Sequence, residues 1–190
     1  MFDFETFPLL ETPRLRLRAI TDADARALLS IRGDPRVTRY NPVPTLRTMA
    51  ESLDLIDRTR LAYSDKYRID WAIVLKEHPH AGMVGRIGFN YWLKDEFRSS
   101  VGYDIAFAFW RRGIATEALE AVTGFGFESM ALRQIDADAY KENKASCRVL
   151  VKAGFRQIGV DEEWEFGVLR QRMVYALTIY EWRKMQKAGL

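Results

Sequence analysis

Trp110-Arg111-Arg112-Gly113-Ile114-Ala115-Thr116, lying between a strand-like run and a helical one, is the stretch whose reading decides the fold. Upstream, Ser100 to Ile105 reads as a strand and leads through Phe107-Ala108-Phe109. Downstream, a helix runs from Gly113 to about Met130. The first backbone N–H groups of such a helix have no intrahelical partners and can cradle phosphate oxygens. The helix dipole adds about 0.3–1 kcal/mol for a well-placed negative charge. Gly113 permits close approach, because any Cβ there would intrude on the anion. By itself Arg-Arg-Gly before a helix is weak evidence. The run is neither a Walker sequence nor the Gly-x-Gly-x-x-Gly of dinucleotide folds.

The flanking sequence alternates between strand and helix patterns. Arg14 to Ile20 is a first strand, with Leu15, Leu17 and Ala19 facing the core and Arg14, Arg16 and Arg18 facing solvent. Thr21 caps a helix through about Arg32, with Asp24 in the capping-box position, and Gly33 ends it before Pro35. A second helix follows Pro44-Thr45, with Leu46, Met49, Leu53 and Ile56 as its buried stripe. Strands at Ile69 to Leu75, Met83 to Trp92 and Ser100 to Ile105 are separated by His78-Pro79-His80 and by Lys94-Asp95-Glu96. Gly124 and Gly126 each cost about 1 kcal/mol relative to alanine inside the next helix, which predicts close packing there. Ile135, Ala137 and Ala139 alternate as a strand, and Asn143 caps a helix that stops at Gly154. Strands at about Phe155 to Val160 and Arg170 to Ile179 follow, and residues beyond Trp182 are expected to fray. The order predicts an α/β (α+β) fold with a mixed sheet, its helices on the faces.

Composition narrows the function. At 190 residues a single domain over 1–190 is the default. Cys147 is the lone cysteine, which excludes an internal disulfide framework and suits a reducing compartment. Met1-Phe2-Asp3-Phe4-Glu5 has acids where a signal peptide wants bases, and no run approaches the ~18 apolar residues of a membrane span. A cytoplasmic protein without a membrane partner is expected. The net charge of +3 is too small and scattered to argue for nucleic acid. His78 and His80 lack third and fourth metal ligands, and read as an exposed loop.

Three motifs in order carry a family resemblance. Val101-Gly102-Tyr103, followed by Phe109-Trp110-Arg111-Arg112-Gly113-Ile114-Ala115-Thr116-Glu117-Ala118, resembles the acetyl-CoA motif of the GNAT superfamily in its RimJ/RimL-like branch. Asn143-Lys144-Ala145-Ser146, on a helix ending in Gly154-Phe155, resembles that branch's Asn-x-x-Ser helix. Glu11-Thr12-Pro13-Arg14-Leu15-Arg16-Leu17-Arg18 resembles its opening, and Tyr180-Glu181-Trp182 its close. The likeness covers about residues 10–182. It implies a GNAT fold, a mixed sheet of about six to seven strands flanked by about four helices, and acetyl-CoA as co-substrate.

The same resemblance assigns roles. Backbone groups at Ile105, Ala106 and Phe107 would pair with the pantetheine arm. Amides from Arg111 through Arg112, Gly113, Ile114 and Ala115 to Thr116 would hold the pyrophosphate, with the Arg111 and Arg112 side chains near the other phosphates. Asn143 would hydrogen-bond the cofactor arm where two parallel strands part, a role compatible with capping its helix. Trp110 stands where the superfamily has Gln or Arg. Leu150 stands where many relatives have a catalytic tyrosine, so a phenol acid at that position is excluded. Gln171 replaces an expected aspartate.

The family reaction is direct attack of an amine on the thioester. It needs a neutral amine, an oxyanion donor and an outlet for the thiolate. A backbone N–H near the end of the Val101–Ile105 strand would serve the oxyanion. Ser146, one helical turn after Asn143, is the candidate thiolate partner; the alternative is a serine bonding back to a helix carbonyl. Cys147 has no base beside it and is not read as a nucleophile. Asp136, Asp138 and Tyr140 share one strand face. Asp138 lies five residues before the asparagine, where relatives that acetylate protein N-termini carry an acidic base, and the alternative is a pair with a nearby Arg or Lys. Asp104 is a weaker candidate. The expected acceptor is a protein or peptide N-terminal α-amine. A small amine such as an antibiotic or polyamine, and a non-catalytic acyl-CoA-binding module, remain as alternatives, and a homodimer is left open. The run Asp161-Glu162-Glu163 reads either as an attractor for a cationic acceptor or as a solvated turn.

Overall fold

Alternation shapes the first long strand, β2 (Leu15–Ala19): Leu15 and Leu17 are fully buried, while Arg14 and Arg16 stand exposed. The computed structural model describes residues 2–41, 44–165 and 168–188. β1 (Leu10–Glu11) adds two residues to the edge of β2, and their brevity hides them from any periodicity argument. The Thr21–Asp24 capping box forms as read, but over a tight 3-10 turn, so that α1 (Ala25–Arg32) begins one turn later. A short α2 (Pro35–Thr38) follows, capped by Asp34.

Helix α3 (Met49–Ser64) is started by a second capping box, Thr48 with Glu51. Its buried residues are Ser52 and Ile56, whereas Met49 and Leu53 are 42% and 39% exposed. The expected stripe is thus rotated. Ser52 donates its hydroxyl to the Ala25 carbonyl at 2.8 Å, and this bond lets a small polar residue hold the contact with α1.

β3 (Ile69–Leu75), β4 (Met83–Leu93) and β5 (Arg98–Ile105) form an antiparallel meander. Then come α4 (Ile114–Glu128), β6 (Gln134–Tyr140), α5 (Lys144–Lys152), β7 (Arg156–Glu165), β8 (Val168–Thr178) and α6 (Ile179–Ala188). Among the described residues the sheet has eight strands in the order β1-β2-β3-β4-β5-β6-β8-β7, more than the six to seven expected. All neighbours are antiparallel except β5 and β6. Among the described residues six helices flank it where about four were expected; α2 and α6 are the additions.

Two other expectations are corrected. Asp161 to Trp164 are not a loop: they continue β7 and pair with Leu169 to Arg172 of β8. The chain beyond Trp182 is helical, because Thr178 and Glu181 exchange capping hydrogen bonds and Trp182 packs on Phe127 at 5.4 Å between ring centroids.

Both sheet faces are covered. Trp71, Ile73, Ile87 and Phe89 pack with Leu119 and Val122 of α4 and Leu150 of α5. Ala72 and Met83 meet Leu28, Ile31 and Ile56 of α1 and α3 on the other side. A Cβ on Gly126 would meet Phe89 Cζ at 2.8 Å and Leu132 Cδ1 at 3.0 Å, whereas one on Gly124 would meet only Trp182 at 3.9 Å. Close packing therefore explains one helix glycine and not the other. Gly126→Ala is expected to destabilise by about 1–3 kcal/mol, and Gly124→Ala to stabilise by about 0.4–1 kcal/mol. Denaturant unfolding of the two variants checks the contrast.

Candidate active site

The site arises where the sheet's only parallel pair among the described residues comes apart. β5 and β6 are in register from Arg98/Gln134 to Ser100/Asp136 and then diverge. At the joined end Arg98 clamps Asp136 at 2.6 Å, and Gln134 donates to the same carboxylate at 2.7 Å. β5 continues along β4, and β6 along β8. The Ala106 N–H donates to Val84 at 2.9 Å, which fixes the phase of the antiparallel ladder. Peptide groups of Asp104 face β4, so those of Tyr103 and Ile105 face the gap. A cleft of about 840 Å³ occupies this divergence.

At one end of the cleft lies the loop from β5 into α4. Arg111 and Gly113 are both left-handed, with φ of 61° and 76°. A non-glycine residue there costs about 1–2 kcal/mol. The strained turn aims successive amides outward, and the first α-helical acceptance by Gly113 comes only from Glu117. Ile114, Ala115 and Thr116 therefore keep N–H groups without helical partners, and all three line the cleft.

The turn is braced from far away in sequence. Arg14 donates through Nη1 to the Arg112 carbonyl at 2.9 Å and through Nε to Glu117 at 2.6 Å. Thr12 and the Arg14 N–H bind the same carboxylate. Although burial opposes it, these donors hold Glu117 below the usual carboxylate range. The Trp110 indole N–H donates to the Ile105 carbonyl at 2.7 Å, pinning the other end of the loop.

Asn143 caps α5, its Oδ1 accepting from the Ser146 N–H at 3.1 Å. The Ser146 hydroxyl meets no helix carbonyl; it hydrogen-bonds the Tyr103 hydroxyl of β5 at 2.9 Å. Burial pushes the Tyr103 phenol up to about 12, against the opposing pull of Ser146. Leu150 is buried in the cleft wall. Cys147 turns its Sγ to the Tyr140 carbonyl at 3.8 Å.

The opposite face of the gap carries Asp104 and Asp138. Asp104 is buried and committed: Arg32 donates to it at 2.9 Å and Asn41 at 2.7 Å. Asp138 is half exposed, with Arg172 at 3.8 Å as its ion partner. The surrounding walls desolvate its carboxylate and raise its pKa; Arg172 pulls the other way, and Glu163 and Asp161 add to the rise. Arg172 also reaches Asp161 at 3.5 Å and Glu163 at 3.6 Å, so the acidic run is partly neutralised within the fold. Gln171 joins Lys141 at 2.7 Å and Glu162 at 3.3 Å.

The cleft thus gathers Ile105, Phe107, Arg111, Gly113, Ile114, Ala115, Thr116, Asp138, Asn143 and Ser146. It does not gather Ala106, whose N–H goes to Val84 and whose carbonyl accepts from Phe109. Nor does it gather the Arg112 side chain, which lies over the Phe109 ring at 5.3 Å. Arg39, Tyr40 and Asn41 also line the cleft, while Pro42 and Val43 lie outside the described residues. His78 and His80 are exposed, and no metal-binding cluster exists among the described residues. The Tyr103, Trp110 and Arg14 contacts escaped the sequence reading. The only signals for them were the Gly-Tyr in the strand and the Thr-Pro-Arg opening.

Two variants test the anion end. Gly113→Glu is expected to abolish acetyl-CoA binding, because a side chain on this left-handed residue strains the turn, would meet the Arg14 guanidinium at 3.2 Å from its Cβ, and adds negative charge beside the cradle. Arg14→Ala, which loosens the brace but leaves the cradle residues in place, is expected to weaken binding by roughly 3- to 10-fold, as for loss of about 0.5–1.5 kcal/mol. Calorimetry on the folded variants measures both.

Comparison with known proteins accords with this geometry. A model of the acetyltransferase (GNAT) domain matches residues 14–156. The uncharacterized N-acetyltransferase YoaA of Bacillus subtilis (strain 168) is 34% identical over 175 residues, covering 92% of this chain and 93% of that protein. Mycobacterium smegmatis RimJ, solved in complex with CoA-disulfide, has a TM-score of 0.80 at 22% identity, over 96% of this chain and 94% of that one. RimL, a ribosomal alpha-N-protein acetyltransferase solved with coenzyme A, has a TM-score of 0.81 at 20% identity, over 90% and 98%. These two share the fold. With the domain match and YoaA alongside the cleft, the chain belongs to the GNAT family of acetyl-CoA-dependent N-acetyltransferases.

Proposed function

We propose that the acceptor is the α-amino group of a protein or peptide, attacked directly in a ternary complex, and that the chain over 1–190 acts as one such domain. The residues present fit acetyl-CoA. Amides of Ile114 to Thr116 have no helical partners, the left-handed Gly113 turns the chain into them, and six bases against three acids line the cleft. When bound, acetyl-CoA supplies the thioester carbon and a sulfur leaving group. The N–H groups of Tyr103 and Ile105 face the gap as fixed donors toward its carbonyl oxygen. Asp138 takes the proton released as the amine's nitrogen–carbon bond forms and the carbon–sulfur bond breaks. Ser146 donates a hydrogen bond to the departing thiolate.

One observation carries the reading: Asp138 is an acid of the cleft free of short hydrogen bonds, while Asp104 is held by Arg32 and Asn41. A raised pKa makes Asp138 a better base than an ordinary aspartate, yet a short one, suited to an acceptor that needs little help. An α-amine, with pKa about 7.7–8.0, is roughly a tenth neutral at pH 7, whereas lysine at about 10.4 is neutral only ~0.04% of the time. Attack by lysine would therefore overcome a deficit of some 300-fold, about 3.4 kcal/mol.

Peptides with free N-terminal Ala or Ser are expected to gain acetyl at the α-amine in preference to internal lysines. Mass spectrometry after incubation with acetyl-CoA locates the group. Modification of lysines with the N-terminus left free would sink the idea, and turnover on small amines alone would favour the small-molecule alternative.

The acid–base roles give a pH signature. Asp138 acts only when ionised, so its contribution is lost as pH falls through its raised pKa. At high pH solvent takes the released proton from the tetrahedral adduct more readily, so Asp138 contributes less. Asp138→Asn is thus expected to cost most between those limits, around pH 6 to 7, and least near pH 9. Turnover profiles that match the parent throughout would remove Asp138 from the mechanism.

A further inference from the structure

Ser146 and Tyr103 approach from different elements, α5 and β5, and their hydroxyls meet at 2.9 Å across the gap. Each lines the cleft. No other hydrogen bond is made by either hydroxyl among the described residues. The pair is therefore an isolated two-member chain whose free end opens on the cleft.

A phenol is a stronger acid than an alcohol, hence the better donor and the poorer acceptor of the two. Donation from Tyr103 to Ser146 is the favoured direction. It fills a lone pair on Ser146 Oγ and frees that residue's own hydrogen for a third atom. Chained hydrogen bonds also polarise one another, so a serine that accepts from a phenol donates more strongly.

We propose that Tyr103 is a positioning residue that orients the Ser146 hydroxyl, its phenol donating to Oγ so that the serine hydrogen points to the departing sulfur. The inference rests on the reading of Ser146 given above. No proton leaves either hydroxyl. The carbon–sulfur electron pair stays on sulfur as thiolate, the amine's proton goes to Asp138, and the Tyr103–Ser146 chain supplies a hydrogen bond alone. The protonated phenol fits this role, since its pKa of about 12 makes it a poor acid but leaves it a donor at working pH.

The arrangement also bears on Leu150, which occupies the place of the family's catalytic tyrosine. A phenol reaches this cleft from β5 instead of α5, and it acts through serine.

Tyr103→Phe, Ser146→Ala and the double variant test this. Phenylalanine keeps the ring, so packing on β5 is retained, and thermal unfolding verifies it. Two quantities are read: turnover, and the thiol pKa of bound CoA, followed by the ultraviolet absorbance of its thiolate without any reaction. Tyr103→Phe is expected to lower kcat by roughly 2- to 10-fold, the worth of one hydrogen bond, with KM for acetyl-CoA unchanged. Both single variants should raise the bound thiol's pKa, and the double variant should be no worse than Ser146→Ala. If Ser146→Ala is impaired while Tyr103→Phe matches the parent, or if the two losses multiply, Tyr103 does not act through Ser146 and the inference falls with the Ser146 reading intact. If Ser146→Ala itself matches the parent in both measurements, the Ser146 reading falls, and the inference with it.

Discussion

The divergence of β5 from β6 is the constraint on which the site depends. A buried peptide group without a partner costs about 1–3 kcal/mol, so a sheet does not part its strands unless something else satisfies them. Here the joined end is locked by Arg98 on Asp136, and each strand keeps an antiparallel neighbour on its outer side. The inner edges beyond Ser100 are then left to water or to a ligand that carries amides of its own. The pantetheine arm of coenzyme A is such a ligand. In the proposed reading, recognition uses the hydrogen-bonding habit of a strand, and side chains are spared for the phosphates and the chemistry.

The divergence also sorts the chemistry by face. Alternation along β5 sends Tyr103 toward α5 and Asp104 toward α1, and alternation along β6 sends Asp138 to the same side as Asp104. In the mechanism proposed above, the groups assigned to the leaving sulfur and the group assigned to the incoming amine therefore stand on opposite faces of one gap. In acyl transfer the amine adds across the face of the thioester plane while the sulfur lies within that plane, and the pleat of the two strands keeps the groups assigned to each apart.

Much of this was legible because its signals are local. A strand running into Arg-Arg-Gly and a helix, or an Asn three residues before a Ser, announces itself within a few positions. What stayed hidden joins distant segments: Arg14 to Glu117, Asn41 to Asp104, Tyr103 to Ser146. The misreadings have the same origin. The α3 stripe was rotated by one serine bonded to Ala25, a tertiary contact that no hydropathy pattern encodes. The acidic run Asp161 to Glu163 looks like a turn until Arg172 on the neighbouring strand supplies the charge that lets it pair. The tail beyond Trp182 lacks any strong helical signal apart from the cap at Thr178, and its helix is held by packing on Phe127.

A chain of buried charges completes the argument about the acceptor face. Asp70 is paired with Arg68 and with Arg86 at 2.7 Å; Arg86 stands 3.9 Å from Asp104, and Asp104 accepts from Arg32 and Asn41. Burying such a chain is a poor way to gain stability, since its desolvation cost can exceed its Coulombic gain. What it does instead is fix geometry. The chain crosses β3, β4 and β5 and ends on Asn41, beside Arg39 and Tyr40 in the cleft wall, so it ties that wall to the strand whose peptide groups face the gap. It also saturates Asp104 with cations and donors. Two aspartates on one face would otherwise compete for the incoming ammonium. With Asp104 held, the mechanism proposed above gives proton acceptance to Asp138, whose partner is a more distant arginine.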